Sequence, residues 1–209
     1  MPLKQPTPKN FPIFPFPIFN PFSFCITLIL FCLSTSALAQ SVTVAPESVV
    51  VYEASDDSNR WQGEAPVESV TLSLDPENVR SSGLTVTLKP GDFDSGNFVR
   101  DTNARRTVFE TNEYPEITFT AEGIAAEGNS LADGERKAVN LRGDLTMHGV
   151  TNEVRLPVSV SRDGATLTAT GAFSVLLSDY EMKRPSFLSN TVNDEVTLEF
   201  DITLTLADL

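Results

Sequence analysis

Cysteine is almost absent: the 209-residue chain has two, Cys25 and Cys32, both within its first 39 residues. From Gln40 onward there is none, so neither disulfides nor thiolate chemistry is available to that part of the chain. Histidine is scarcer still. His148 stands alone, which excludes zinc clusters, His-paired nucleophiles and two-histidine sites built from this chain by itself. Positive charge is short as well. Taking Lys4 and Lys9 from the 15 basic side chains leaves 13 against 28 acidic ones, a formal charge near −15 after Gln40. Such a surface, taken as a whole, repels nucleic acid and anionic lipid headgroups. There is no Gly-x-Ser-x-Gly elbow, no phosphate-binding glycine loop and no dinucleotide fingerprint. Glycoside hydrolysis needs two carboxylates facing a cleft, and among the 28 acids no spacing singles out a pair.

Long hydrophobic runs are missing after Gln40 too. The one apolar run, Phe22 to Leu33, is shorter than the ~18 residues of a spanning helix. Lys4 and Lys9 precede it, with a Phe- and Pro-rich segment from Phe11 to Phe24, and Ala37-Leu38-Ala39 follows as a small-x-small cleavage pattern. Residues 1–39 therefore read as a secretory signal peptide cut before Gln40, with an uncleaved N-terminal anchor as the alternative. Phe31 before Cys32 argues against a lipobox.

What fills residues 40–209 is alternation with period two. Val49 to Tyr52 opens it, and the polar tract Ser55-Asp-Asp-Ser-Asn59 interrupts it. Val70, Leu72 and Leu74 alternate with Ser and Thr, as do Leu84, Val86 and Leu88 before Pro90-Gly91. Ile117, Phe119 and Ala121 share a face after Pro115. Val139, Leu141 and Leu145, then Val154, Leu156, Val158 and Val160, flank His148-Gly149 as a β-hairpin with one oily face. A strand from Ala165 to Phe173 follows. The last strand carries Val196, Leu198, Phe200, Ile202, Leu204 and Leu206 on one side, and a slip of one residue would turn that face to water. The period changes between Asp92 and Glu113: Ala104 and Val108 lie four apart with Asp101 placed to cap, which predicts one short helix over Asp101 to Glu110.

These patterns predict an all-β fold of about eight antiparallel strands with one short helix, the connections being too short for parallel crossovers. Periodicity allows a barrel or a two-sheet sandwich, and removal of exposed edges favours the barrel.

The wording of several segments is more specific than their period. Gly143-Asp-Leu-Thr-Met-His-Gly-Val-Thr151, Gly96-Asn-Phe-Val-Arg-Asp101, Tyr114-Pro-Glu-Ile-Thr-Phe119, Ser178-Asp-Tyr180 and Val192-Asn-Asp-Glu-Val196 stand in order along the chain. Together they resemble the motifs of the YceI-like polyisoprenoid-binding family of bacterial periplasmic proteins. The resemblance runs from about Trp61 to Leu206. It implies a lipocalin-like, up-and-down antiparallel barrel over residues 40–209, holding an isoprenoid quinone, a polyprenyl phosphate or a fatty-amide-type lipid without catalysis or a cofactor. It also implies a periplasmic or secreted location and adds a homodimer as an option. Two departures stand out: Ser48 to Glu53 is less basic and aromatic than the family's opening strand, and Glu181 stands where Gly often follows the Ser-Asp-aromatic triplet.

Candidate ligand-binding residues follow from the apolar faces. Phe98, Phe109, Phe119, Phe173 and Phe200 are the bulky lining candidates, while Ala121, Gly143, Ala169 and Gly171 are small enough to leave room. The ordinary reading of each is core. His148 is either a hydrogen-bonded turn residue or a headgroup contact at the mouth. Arg100, Arg105 and Arg106 are suited to a diphosphate or to surface pairs with Asp101 and Glu110. Asp92-x-Asp94-x-Gly96 resembles the start of a calcium loop but lacks its later ligands, and reads as a solvated turn. The rival class is a packed β-domain with no small ligand, acting through protein contacts.

Overall fold

A computed structural model describes residues 42–73, 82–123, 125–126, 131–187 and 190–207. The signal-peptide expectation for 1–39 lies outside the described residues. The strands, in chain order, are β1 (Val42–Val44), β2 (Val49–Ser55), β3 (Arg60–Pro66), β4 (Ser69–Ser73), β5 (Gly83–Leu88), β6 (Ile117–Glu122), β7 (Ala125–Ala126), β8 (Arg136–Met147), β9 (Val150–Asp163), β10 (Thr166–Leu176), β11 (Ser186–Phe187), β12 (Asn190–Thr191) and β13 (Glu195–Leu206). One α-helix, α1 (Phe98–Asn103), runs on into a π-helical turn, Ala104–Val108.

All pairs are antiparallel, and the main sheet runs β3-β2-β13-β10-β9-β8-β6-β5-β4. Its two ends are neighbours in sequence, because only Val67 and Glu68 separate β3 from β4. Their amides point opposite ways: Val67 N–H donates to Ser48 O at 3.1 Å, and Glu68 N–H to Thr87 O at 3.0 Å. A single bent strand thus pairs with β2 through its first half and β5 through its second. β1 and β2 likewise form one interrupted strand, since both pair with β13. Counted this way, eight strand positions curl into the barrel, with β7 and the β11–β12 hairpin as small additions.

Alternation explains why the sheet curls with one face inward. Along β8, Val139, Leu141, Leu145 and Met147 are buried, and along β13, Val196, Ile202, Leu204 and Leu206 are. Intervening residues carry Thr, Asp and Glu to water. The hairpin turn falls at His148-Gly149, where both residues take positive φ, 51° and 76°.

The helix begins earlier than the sequence predicts. Asn97, not Asp101, caps it: the Asn97 side-chain oxygen accepts from Val99 N and Arg100 N, each at 3.1 Å. Asp101 lies within α1 and is buried, where its carboxylate accepts from the Ser95 amide and hydroxyl. It holds the preceding loop rather than starting the helix.

Candidate ligand-binding cavity

The inward faces do not meet. They enclose a cavity of about 1080 Å³ whose wall is almost wholly aliphatic and aromatic, including Leu72, Val86, Phe119, Leu141, Leu156, Phe173, Leu198 and Phe200. Small ligand pockets range over ~300–1,000 Å³, so this one is large for a barrel of its size.

Glycines keep it open, though not by leaving empty space. A Cβ on Gly171 would strike the Phe200 ring and the Pro157 carbonyl, and one on Gly143 would lie within 2.9 Å of Phe119 Cε2. Gly171 stands directly across from Phe200, and Gly63 across from Tyr52, whose ring covers it in the same way. Each ring lies back over a bare stretch of backbone on the wall instead of projecting into the lumen. The room expected beside Gly143 and Gly171 is occupied by aromatic rings.

The cavity opens at one end. Its lining residues that are also exposed, Asn59, Arg60, Asn97, Val99, Asn103 and Ser186, belong to the β2–β3 turn, α1 and the β11–β12 hairpin. The hairpin is tied down by Asn190 Nδ2 donating to Ser58 Oγ at 3.0 Å, and the chain after it by Asn193 N–H donating to Ser55 O at 2.8 Å. Beneath α1 an aromatic group closes the side of the mouth: Phe93 meets Tyr52 edge-on at 5.3 Å and stacks on Phe109 at 5.7 Å. Burial pushes the Tyr52 phenol above its ordinary value, with hydrogen bonding to Ser95 acting the other way. Arg100 lies 5.3 Å over the Trp61 ring and donates to Ser95 Oγ and O at 2.8 and 2.9 Å. At the far end the charged lining residue is Lys137, 15% exposed and 3.2 Å from Glu135.

His148 belongs to the frame of the mouth, not to the lining. Its Nε2 is 2.9 Å from Glu110 Oε2, its Nδ1 is 3.2 Å from Tyr180 O, and Tyr114 packs on its ring at 4.4 Å. Glu110 also accepts from Lys183 Nζ at 2.7 Å, and these two hydrogen bonds, Lys183 first, hold its carboxyl below the usual range. The π-turn, the β8–β9 turn and the β10–β13 connection meet at this point. Asp194 anchors the same connection by accepting from the Ser178 hydroxyl and amide, which lowers its carboxyl too.

Of the expected site residues, Phe109, Phe119, Phe173 and Phe200 line the cavity, whereas Phe98 is 80% exposed on the outside of α1. Its neighbour Val99 reaches the cavity instead. Arg100 is at the mouth, paired with Ser95 and Trp61; Arg105 donates to Phe93 O at 3.2 Å. Asp94 accepts from Gly96 N–H at 2.7 Å, an ordinary Asx turn, and among the described residues no His, Cys, Asp and Glu cluster to hold a metal. Sequence reasoning missed Tyr52, Trp61 and Phe93. Tyr52 closes the first alternating run, and its bulk opposite Gly63 was the available signal.

A curled antiparallel barrel with a large apolar cavity open at one end defines the class: a lipocalin-like barrel. The YceI-like domain matches over residues 42–204, and the chain belongs to that family. A UPF0312 protein of Pseudomonas syringae pv. tomato is 25% identical over 136 residues, 62% of this chain and 67% of that protein. The crystal structure of Burkholderia cenocepacia BcnA is 25% identical with a TM-score of 0.65, covering 77% of this chain and 99% of that one. A polyisoprenoid binding domain from Saccharophagus degradans, implicated in plant cell wall breakdown, shares the fold at 16% identity and a TM-score of 0.63, over 80% and 99% of the two chains.

Proposed function

We propose that this protein holds one long-chain isoprenoid or related lipid inside the barrel, tail inward and head at the mouth, without catalysis. The cavity carries the reading: about 1080 Å³ of space with an aliphatic and aromatic wall and a polar rim at one end. Burial of each methylene is worth ~0.8 kcal/mol gross, while association costs about 4–15 kcal/mol. A chain of a few carbons does not repay that cost, so a ligand held by this wall is long. An isoprenoid quinone, a polyprenyl phosphate and a fatty amide all satisfy the requirement. Family membership and the polyisoprenoid-binding neighbour support the choice.

The protein works in the periplasm or outside the cell, exported by residues 1–39; N-terminal sequencing of the chain recovered from cells is expected to begin at Gln40, and a start at Met1 would contradict export by a cleaved peptide. The binding reading is tested with Phe119→Arg, which places a charge on the wall. The variant is expected to retain a cooperative melting transition and to lose uptake of a long fluorescent polyene, cis-parinaric acid. Unchanged uptake would show that the probe sits elsewhere.

A further inference from the structure

We infer that Lys137 makes the floor of the cavity a second polar contact, so that the preferred lipid carries a neutral oxygen, hydroxyl or carbonyl, at the end of its chain as well as a head at the mouth. This rests on the lipid-holding function proposed above.

The β8 residues that line the cavity are Lys137, Val139, Leu141, Leu145 and Met147, all on one face of the strand. The last four are apolar, and so is Val160, which stands across from Lys137 and lines the cavity with it. The other charged lining residues, Asp56, Arg60 and Arg100, belong to the mouth. Lys137 is at the opposite end, about 25 Å from Met147 along the barrel axis at ~3.3 Å per residue and ~40° of tilt. A Leu or Met would close this position with no desolvation cost. An ammonium largely withdrawn from water needs oxygen atoms around it.

The floor is built to hold that group in place. Glu135 Oε1 lies 3.2 Å from Lys137 Nζ, while Glu135 Oε2 accepts from Ala132 N–H at 2.8 Å. Segment 131–135 is fastened in turn to the end of β9 and the turn after it. Arg162 Nη1 donates to Leu131 O at 3.2 Å, Arg162 N–H to Glu135 O at 3.1 Å, Gly134 N–H to Arg162 O at 3.0 Å, and Gly164 N–H to Asp133 Oδ1 at 2.6 Å. Glu135 balances the charge of Lys137, so the pair offers a ligand N–H donors without net charge. That suits a neutral oxygen and disfavours a carboxylate, which would meet Glu135 as well.

The full chain is loaded with cis-parinaric acid, which two series of lysophosphatidylcholines then displace, one with plain acyl chains and one with a hydroxyl on the terminal carbon, each in steps of chain length. The phosphocholine head keeps every member the same way round, with its chain inward. The hydroxyl is expected to weaken binding of the shorter members, which end against the apolar wall, and to strengthen it about tenfold over the plain chain at the length that reaches Lys137. Lys137→Met is expected to remove that gain while binding the plain chains at least as tightly, and Lys137→Arg to keep it. A hydroxyl that brings no gain at any length in the unsubstituted protein overturns the inference, and this comparison decides the point even if Lys137→Met does not fold. A gain that survives Lys137→Met, or a substitution that shifts both series alike, also overturns it and leaves Lys137 as a pin for Glu135. In each of those cases displacement by the plain chains leaves the lipid-holding function standing. Displacement by neither series overturns that function and this inference with it.

Discussion

Phe200 and Tyr180 are aromatic residues of one barrel in opposite surroundings. Tyr180 is 2% exposed, packed in the connection between β10 and β13, with its carbonyl 3.2 Å from His148 Nδ1. Phe200 lies over Gly171 with its other face on the cavity. The first is held on every side by protein, the second on one. The contrast extends to the regions they represent. The mouth is fixed by hydrogen bonds and ion pairs among Glu110, His148, Lys183, Ser178 and Asp194, whereas the wall is an apolar surface with few specific contacts. Directional polar contacts hold the opening, and the lumen presents an apolar wall without them.

Substitutions at packed and cavity-facing aromatics differ in their expected cost. Tyr180→Ala is expected to cost the most, about 3–5 kcal/mol by chemical denaturation, because it empties a packed site. Phe200→Ala removes a ring that already borders empty space, and about 1–2 kcal/mol is expected, since fewer packing partners are lost. Equal losses would mean that the cavity collapses around Phe200 and that the wall is as tightly packed as the mouth.

Gly171→Val attacks the wall from behind. It drives the Phe200 ring toward the lumen and is expected to lower affinity for a long polyene about tenfold, the equivalent of roughly two buried methylenes, with a calorimetric titration as the measurement. A companion loss of stability of about 1–3 kcal/mol follows from the contact with the Pro157 carbonyl.

Asn97→Ala removes the cap of α1 and is expected to cost about 1 kcal/mol. The loss is local: amide exchange speeds up over Phe98–Asn103 and not in β8 or β13.

The smallest effect is one of pH. Glu110 and Asp194 both have carboxyls lowered in the folded protein, by Lys183 and His148 and by Ser178 respectively. Groups lowered on folding contribute stability that is present above their unfolded values, about 4, and is lost as pH falls through the folded ones. The mouth is therefore expected to loosen before the wall below about pH 4, and Glu110→Gln to show part of that loosening already at neutral pH. Exchange across 104–110 and 177–194, followed against pH, measures it.

The wall was legible in the sequence because its physics is periodic. The Glu195–Leu206 strand, the hairpin about His148-Gly149 and the β5 and β6 runs all follow from alternation, since each strand presents one face to the cavity. The mouth was less legible because it depends on single contacts. Asn97 and Asp101 are both good cap residues by type; what separates them is that the Asp101 carboxylate turns back to the Ser95 amide and hydroxyl. Arg60 to Pro66 lacks alternation among large apolar residues, since Gly63 serves the Tyr52 ring, so the bent strand that completes the barrel was not read as one. Phe98 was placed with the lining on bulk alone, and its orientation depends on where the helix starts.

The protein, expressed with its own leader and purified, is examined by native mass spectrometry and its organic extract by lipid mass spectrometry. A single isoprenoid or related long-chain lipid at about one per chain is the predicted result. An empty protein that also refuses added polyprenyl lipids would contradict it and leave the barrel as a domain that acts through its surface.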